Sequence, residues 1–168
     1  MGTGAVTGPT GGRSGFEAEA IVAALATQGR DRGDDIVIVT GDRDSDQLVE
    51  DPHIRVMYNK RGVSDDALYD EAGIHERTGV TPAQYPEYAS LRGDPSDNLP
   101  GVPGVGEKTA AKLINQYGGI DGIYAHLDEL TPKRRENLAA APHAARPHPA
   151  VTPLRRHAAV RQHDAPHL

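Results

Sequence analysis

The chain has no cysteine, no tryptophan and a single phenylalanine among its 168 residues. Without thiols it builds neither a disulfide framework nor a zinc–thiolate site, a usage that fits a cytoplasmic protein. Aromatic residues make up 4% and apolar residues 37%, so the core has to be modest and aliphatic. The length supports one domain, or one with a small appendage. No apolar run approaches the roughly 18 residues that a bilayer requires, and the N-terminus has none of the charged and apolar regions of a signal peptide. Positive charge is also short: the net charge is -6, which on its face argues against nucleic-acid binding. Its distribution matters more. From Ala141 onward there are four Arg and one Asp, a local +3 that leaves -9 on the rest. An acidic body still binds DNA when its acids surround metal ions that neutralise them.

Four stretches are expected along the chain. Residues 1–14, rich in Gly and Thr and without periodicity, read as a flexible leader. Ser14-Gly15-Phe16-Glu17 has the spacing of a capping box, and Ile21, Val22 and Leu25 follow at helical spacing with Gly29 as a stop, so a helix is expected over about 15–28. Asp35–Thr40 is a β-branched run that reads as a strand buried on both faces. A short helix over Ser45–Val49 and a second strand over Ile54–Tyr58 complete part of an α/β unit across residues 15–60. Residues 61–140 read as helical, with helices over Ser64–Ala72, Pro82–Arg92, Glu107–Tyr117 and Thr131–Ala140. Ser64, Thr81 and Thr131 serve as caps, and Pro82 and Pro132 take first helical positions. Residues 141–168, almost entirely Ala, Pro, His and Arg, are expected to be disordered. Five of the eight histidines fall there, without consistent metal spacing.

Two segments carry candidate chemistry. Thr40-Gly41-Asp42-Arg43-Asp44 follows the first strand, and in open parallel sheets sites form outside the carboxyl ends of strands. The competing reading is that Asp44 caps the next helix and Asp42 fills a turn. The second segment is Gly93-Asp94-Pro95-Ser96-Asp97-Asn98-Leu99-Pro100-Gly101-Val102-Pro103-Gly104-Val105-Gly106-Glu107-Lys108-Thr109-Ala110. Two carboxylates three residues apart run into a glycine-punctuated hairpin that opens a helix. Glycines permit a tight turn and close backbone approach, and the first amides of the helix with its dipole favour a phosphate. Lys108 and Lys112 lie one turn apart and add charge for the same backbone. Glu17 and Glu19 stand on the first helix, where Glu17 could equally be the partner of the Ser14 cap.

Residues from about 15 to 140 resemble the 5′-nuclease domain of bacterial DNA polymerase I and the related flap endonucleases, without its N-terminal part. The resemblance rests on Val39-Thr40-Gly41-Asp42-Arg43-Asp44 with Gln47-Leu48-Val49, and on Leu91 through Ala110. It implies a partial PIN-like parallel sheet followed by a helix–hairpin–helix subdomain. It implies 5′→3′ cleavage of DNA near 5′ ends and flaps with two Mg²⁺ or Mn²⁺ ions. In that scheme Asp42, Asp44, Asp94 and Asp97 are catalytic, and together with Glu17 and Glu19 bind or orient the metals. Gly101, Val102, Gly104, Val105, Gly106, Lys108, Thr109 and Lys112 would hold duplex backbone without reading sequence. The family also places a monovalent cation, usually potassium, at that hairpin.

This chain departs from the family at three places. The family helix reads Glu-Ala-Asp-Asp where this chain reads Glu17-Ala18-Glu19-Ala20, so one acid is a methylene longer and another, at position 20, is absent. The family's first strand, with its own metal-binding Asp, and its basic gateway have no match in residues 1–14. Residues 141–168 differ from the helical, Lys- and Leu-containing continuation of the family, and a shifted reading frame is expected there. A non-catalytic duplex-binding module and an inactive remnant are the alternatives to a nuclease.

Overall fold

The computed structural model describes residues 14–58, 67–95 and 99–141, with side chains from residue 19 onward. Helix α1 (Ser14–Arg32) leads into strand β1 (Ile36–Thr40), and a 3-10 turn over Arg43–Leu48 returns the chain to β2 (Ile54–Tyr58). β1 and β2 are parallel, Ile36 opposite Ile54 and Thr40 opposite Tyr58. β3 (Leu68–Tyr69) adds antiparallel to β2, with Val56 opposite Tyr69, giving the order β1-β2-β3. The helical part follows: α2 (Glu71–Thr78), a 3-10 turn over Pro82–Gln84, α3 (Tyr85–Arg92), α4 (Glu107–Tyr117), α5 (Ile120–Ala125), a 3-10 turn over Leu127–Glu129, and α6 (Pro132–Ala139). Among the described residues no helix is long and apolar enough to cross a membrane.

Several expectations are corrected by packing. α1 runs past Gly29 to Arg32 and stops at Gly33, whose φ of 82° suits a glycine after a helix. Gly29 instead lets helix and strand touch: a Cβ there would meet Ile36 Cδ1 at 2.8 Å. The buried face of α1 carries Ala23 and Ala26, and Ile21, Val22 and Leu25 are exposed. β1 buries Ile38 on one face, while Val37 and Val39 on the other are 48% and 61% exposed. β1 lies at one end of the strand order, and α1 packs on its Ile36–Ile38 face. Ser64–Ala72 does not form one helix. Leu68 and Tyr69 pair with β2, and Asp70 then caps α2, its Oδ1 accepting the Gly73 N–H at 2.8 Å. The Asp70-to-Gly79 punctuation was a readable helix signal. Pro82–Arg92 divides into a 3-10 turn and α3, and the Thr81 N–H donates to the Gln84 side chain at 3.0 Å. Pro132 opens α6 as expected, but Thr131 makes no side-chain cap. The leader up to residue 13, the Ser14–Glu17 side chains, the Ser64 cap and the tail beyond Ala141 lie outside what is described.

Two cores form. One joins Ala23, Ala26, Ile38, Leu48, Val49, Ile54, Val56, Tyr58 and Ile74, and the other runs from Val80 to Ala141 through the helices. The division falls between Ile74 and Val80, later than residue 60, because α2 turns Ile74 onto the sheet.

A polar cluster seals the first core. Asp46 is fully buried on the 3-10 turn and accepts hydrogen bonds from the Tyr58 hydroxyl and the Arg77 guanidinium. Arg77 reaches in from α2 and lies over the rings of Tyr58 and Tyr69, 4.6 Å from each centroid. Burial pushes the Asp46 carboxyl up, against the pull of Tyr58 and Arg77. Burial and the Asp46 charge both push the Tyr58 phenol well above its ordinary value of 10.0. Burial, and after it Asp46, does the same to Tyr85.

Two outcomes follow for stability. Removing one partner strands the other inside, so Asp46→Ala should cost about 3 kcal/mol in urea unfolding, and Asp46→Leu combined with Arg77→Met should cost less than the single change. Tyr58 and Tyr85 bind their protons more tightly folded than unfolded. Their stabilisation is complete below the ordinary tyrosine value of 10.0 and is lost as pH rises beyond it. Urea midpoints measured up to strongly alkaline pH should fall above that value, and Tyr85→Phe should flatten the fall.

Candidate functional site

The hairpin between α3 and α4 is built by close backbone crossing. Gly93 ends α3 with φ 81° and Gly101 has φ 63°, both in the left-handed region. A Cβ on Gly101 would meet the Arg92 carbonyl oxygen and the Gly93 nitrogen at 2.6 Å each, and one on Gly93 would meet the Gly101 nitrogen at 2.9 Å. Asp94 and Leu99 exchange backbone hydrogen bonds of 3.0 and 2.9 Å, and the Val102 N–H donates to the Leu91 carbonyl at 2.9 Å. Leu99, Val102 and Val105 turn their side chains into the helical core. Asn137 of α6 donates to the Pro103 carbonyl at 2.8 Å and braces the tip.

The expected backbone-holding residues therefore divide. Gly101, Val102 and Val105 are buried, and the amides of Val102 and Val105 are already spent on Leu91 and Val102. Gly104, Gly106, Lys108 and Lys112 are exposed and Thr109 is half-buried. Gly106 precedes α4 in extended conformation and no side chain caps the helix, so its first amides keep outward-facing donors. Lys108 and Lys112 make no ion pair among the described residues.

The acids stand on several elements. Asp42 follows β1. It caps the 3-10 turn with Oδ1 accepting the Asp44 N–H at 2.9 Å, and its own N–H donates to Thr40 Oγ1 at 3.0 Å. The cap is thus Asp42 rather than Asp44. Asp44 is buried, 4% exposed. Asp94 is held by Arg92, whose Nη2 lies 2.9 Å from its Oδ2. Glu19 is half-buried on α1 beside Ala20. The Glu17 side chain and Asp97 lie outside the described residues. Among the described residues no three of His, Asp and Glu converge as a metal-binding group. Asp42 spends an oxygen on its cap and Asp94 is engaged by a guanidinium, so these carboxylates alone do not fit a complete metal centre.

Arg92 and Asp46 are the residues that sequence reasoning passed over. Arg92 reaches Asp94, the Gly93 carbonyl at 3.1 Å and Glu107 of α4 at 3.4 Å, with its guanidinium 5.4 Å over the Tyr88 ring. Burial works against its charge, but Tyr85, Tyr88 and the two carboxylates outweigh that and raise its pKa. Its position beside Gly93-Asp94 was the available signal. Asp46 had none, because its partner is 31 residues away.

A parallel strand pair with acids after β1 is thus joined to a helix–hairpin–helix unit, and Arg43, between Asp42 and Asp44, lies 3.8 Å from Glu107 at the start of α4. Two family models divide the chain between them: "5′-3′ exonuclease, N-terminal resolvase-like domain" matches residues 4–79, and "5′-3′ exonuclease, C-terminal SAM fold" matches residues 80–165. The chain belongs to the 5′-3′ exonuclease family. The models meet where the two cores divide, and they reach into both terminal stretches set apart above. DNA polymerase I of Mycobacterium leprae is 50% identical over 125 residues, covering 74% of this chain and 14% of that one. A 5′-3′ exonuclease of Streptomyces coelicolor is 47% identical over 135 residues, covering 77% and 44%. The chain thus spans less than half of the length of either relative. A bacteriophage T5 flap endonuclease, solved as a pseudo-enzyme–product complex with DNA and metal ions, superposes with a TM-score of 0.71 at 20% identity. It covers 84% of this chain and 51% of that one, a likeness of fold.

The glycine geometry ranks two substitutions. Gly101→Ala puts a methyl into backbone at a left-handed φ and should cost about 3 kcal/mol or abolish cooperative unfolding. Gly104→Ala, at φ 76° with its nearest atom 3.6 Å away, meets strain alone and should cost about 1 kcal/mol. Thermal unfolding of both variants reads the difference.

Proposed function

We propose that this chain grips the backbone of duplex DNA through its hairpin and the first turn of α4, as part of a cytoplasmic 5′→3′ exonuclease or flap endonuclease. The observation that carries this is the crossing of Gly93 and Gly101. It fixes the hairpin rigidly to α3 and leaves Gly104, Gly106 and the opening turn of α4 exposed, with Lys108 and Lys112 one turn apart and without an ion pair among the described residues. Such a surface contacts phosphate and carries no base-reading groups, so it favours structure over sequence. The bacteriophage T5 flap endonuclease complex holds DNA and metal ions, which supports the same ligands here.

The hydrolytic part would draw on Asp42, Asp44 and Asp94, with Glu17, Glu19 and Asp97 completing a divalent site for Mg²⁺ or Mn²⁺. Such ions generate hydroxide and neutralise charge developing on the phosphate. Asp42 is set by its cap, and Asp94 is oriented by Arg92. Potassium at the hairpin belongs to the same proposal. A second reading, binding without cleavage, is favoured by Ala20, which brings no carboxylate to the face it shares with Glu17.

Binding of labelled duplex DNA in EDTA, followed by cleavage of a 5′-flap substrate on adding Mg²⁺ or Mn²⁺, separates these. We expect salt-sensitive binding, reduced by Lys108→Ala with Lys112→Ala and shallower in its salt slope by nearly 2. Cleavage, where it occurs, should be abolished by Asp42→Asn, which keeps the capping oxygen and removes the charge. Binding with no cleavage would support the second reading, and no binding at all would sink both.

A further inference from the structure

Beside the hairpin, α4 and α6 enclose a cleft of about 370 Å³. Leu113 and Leu130 line it, both nearly fully buried, and Lys108, Lys112 and Arg134 bring three cations to its walls. We propose that this cleft is a second phosphodiester seat, in which Arg134 joins Lys108 and Lys112 on a strand of the same DNA duplex. The proposal rests on the DNA-binding reading and extends the contact surface from the hairpin to α6.

The partnering of charges on α6 points there. Three consecutive cations begin that helix. Lys133 pairs with Glu136 at 3.2 Å. Arg135 donates to the carbonyls of Leu127, Asp128 and Leu130 at 2.9, 2.8 and 3.3 Å, closing the junction between the 3-10 turn and α6. Arg134 alone of the three turns into the cleft, half-buried, with neither an ion pair nor a hydrogen bond among the described residues. Its fellows Lys108 and Lys112 are equally unpaired. A shortage of acids does not explain this, since the chain has 24 Asp and Glu against 18 Lys and Arg. The one carboxylate lining the cleft, Glu129, already accepts the Tyr117 hydroxyl at 3.1 Å.

The chemistry selects the ligand class. A guanidinium fork matches two phosphate oxygens, and the ammonium groups act as point charges beside it. Thr109 and Thr131 line the same cleft and supply hydroxyls of the kind that contact DNA phosphates. Lys108 and Lys112 stand about 6 Å apart along the helix, and Arg134 faces them from another element. Three cations so spread suit successive charges of a polymer better than one small anion. They also adjoin the free amides of α4, so one strand can pass from hairpin to cleft.

The test uses the full chain and a fluorescein-labelled DNA duplex of random sequence, with anisotropy read in EDTA across a potassium chloride series. Arg134→Gln should lower affinity and reduce the slope of log K against log salt by about 0.9. Arg134→Lys should restore most of that slope, and Lys133→Gln should leave it unchanged. Melting followed by circular dichroism should show Arg134→Gln at the wild-type temperature, whereas Arg135→Gln, which strips three carbonyls of their donor, should melt lower. Wild-type slope in Arg134→Gln overturns the seat and leaves the hairpin reading standing. So does a melting temperature lowered as far as in Arg135→Gln, since Arg134 would then belong to the fold. Failure of the wild-type chain to bind removes the DNA-binding reading and the seat with it.

Discussion

Where Gly101 crosses Gly93, two stretches of backbone run closer than any side chain allows, and the rest of the site hangs on that crossing. It makes the end of α3, the hairpin and the start of α4 one piece. Asp94 and the first turn of α4 both leave this piece, and Arg92 reaches both through Asp94 and Glu107. A carboxylate proposed for metal and the amides proposed for phosphate are thereby set by one contact. Phosphate contacts only position a duplex. Their value to a nuclease lies in holding the backbone at a fixed place relative to the acids.

A second constraint works from the other side. The Asp46–Arg77–Tyr58 cluster ties the 3-10 turn that carries Asp42 and Asp44 to α2, which packs on the sheet through Ile74. Ion pairs buried in this way hold geometry more than they add stability. They also show how an acidic chain can present the cationic face that DNA binding, as proposed, requires. Acids are taken up as caps, as with Asp42 and Asp70, or in pairs, as with Asp46 and Asp94. Lys108 and Lys112 of α4 and Arg134 of α6 have no partner among the described residues. The net charge describes the sum and hides this sorting.

Much of the fold was legible in the residues. α4 and β2 occupy the expected spans, since each is marked by strong punctuation: Gly106 and Gly118 for the helix, and the turn over residues 51–53 before the strand. The hairpin was legible because its parts are contiguous. The faces of α1 and β1 were not. Both looked apolar by pattern, yet burial of a face depends on what lies across from it, and α1 meets β1 through Ala23, Ala26 and Gly29. β3 was missed because a two-residue strand has no period and exists only by pairing with β2. The Gly29 stop was misread for a related reason, because a glycine that ends a helix and one that admits a neighbouring strand are identical in sequence.

The sequence by itself determined the family, the candidate acids and the local hairpin of Gly101 through Thr109, because each of these is written in neighbouring residues whose backbone demands are short-range. Tertiary structure alone decided which carboxylates are already occupied and which cations are left over. Asp46 finds Arg77 across 31 residues, Arg92 joins Asp94 to Glu107, and Arg134 faces Lys108 and Lys112 from a separate helix. Pairing of charges depends on distance in space, and residues remote in the chain become neighbours only when the two cores close.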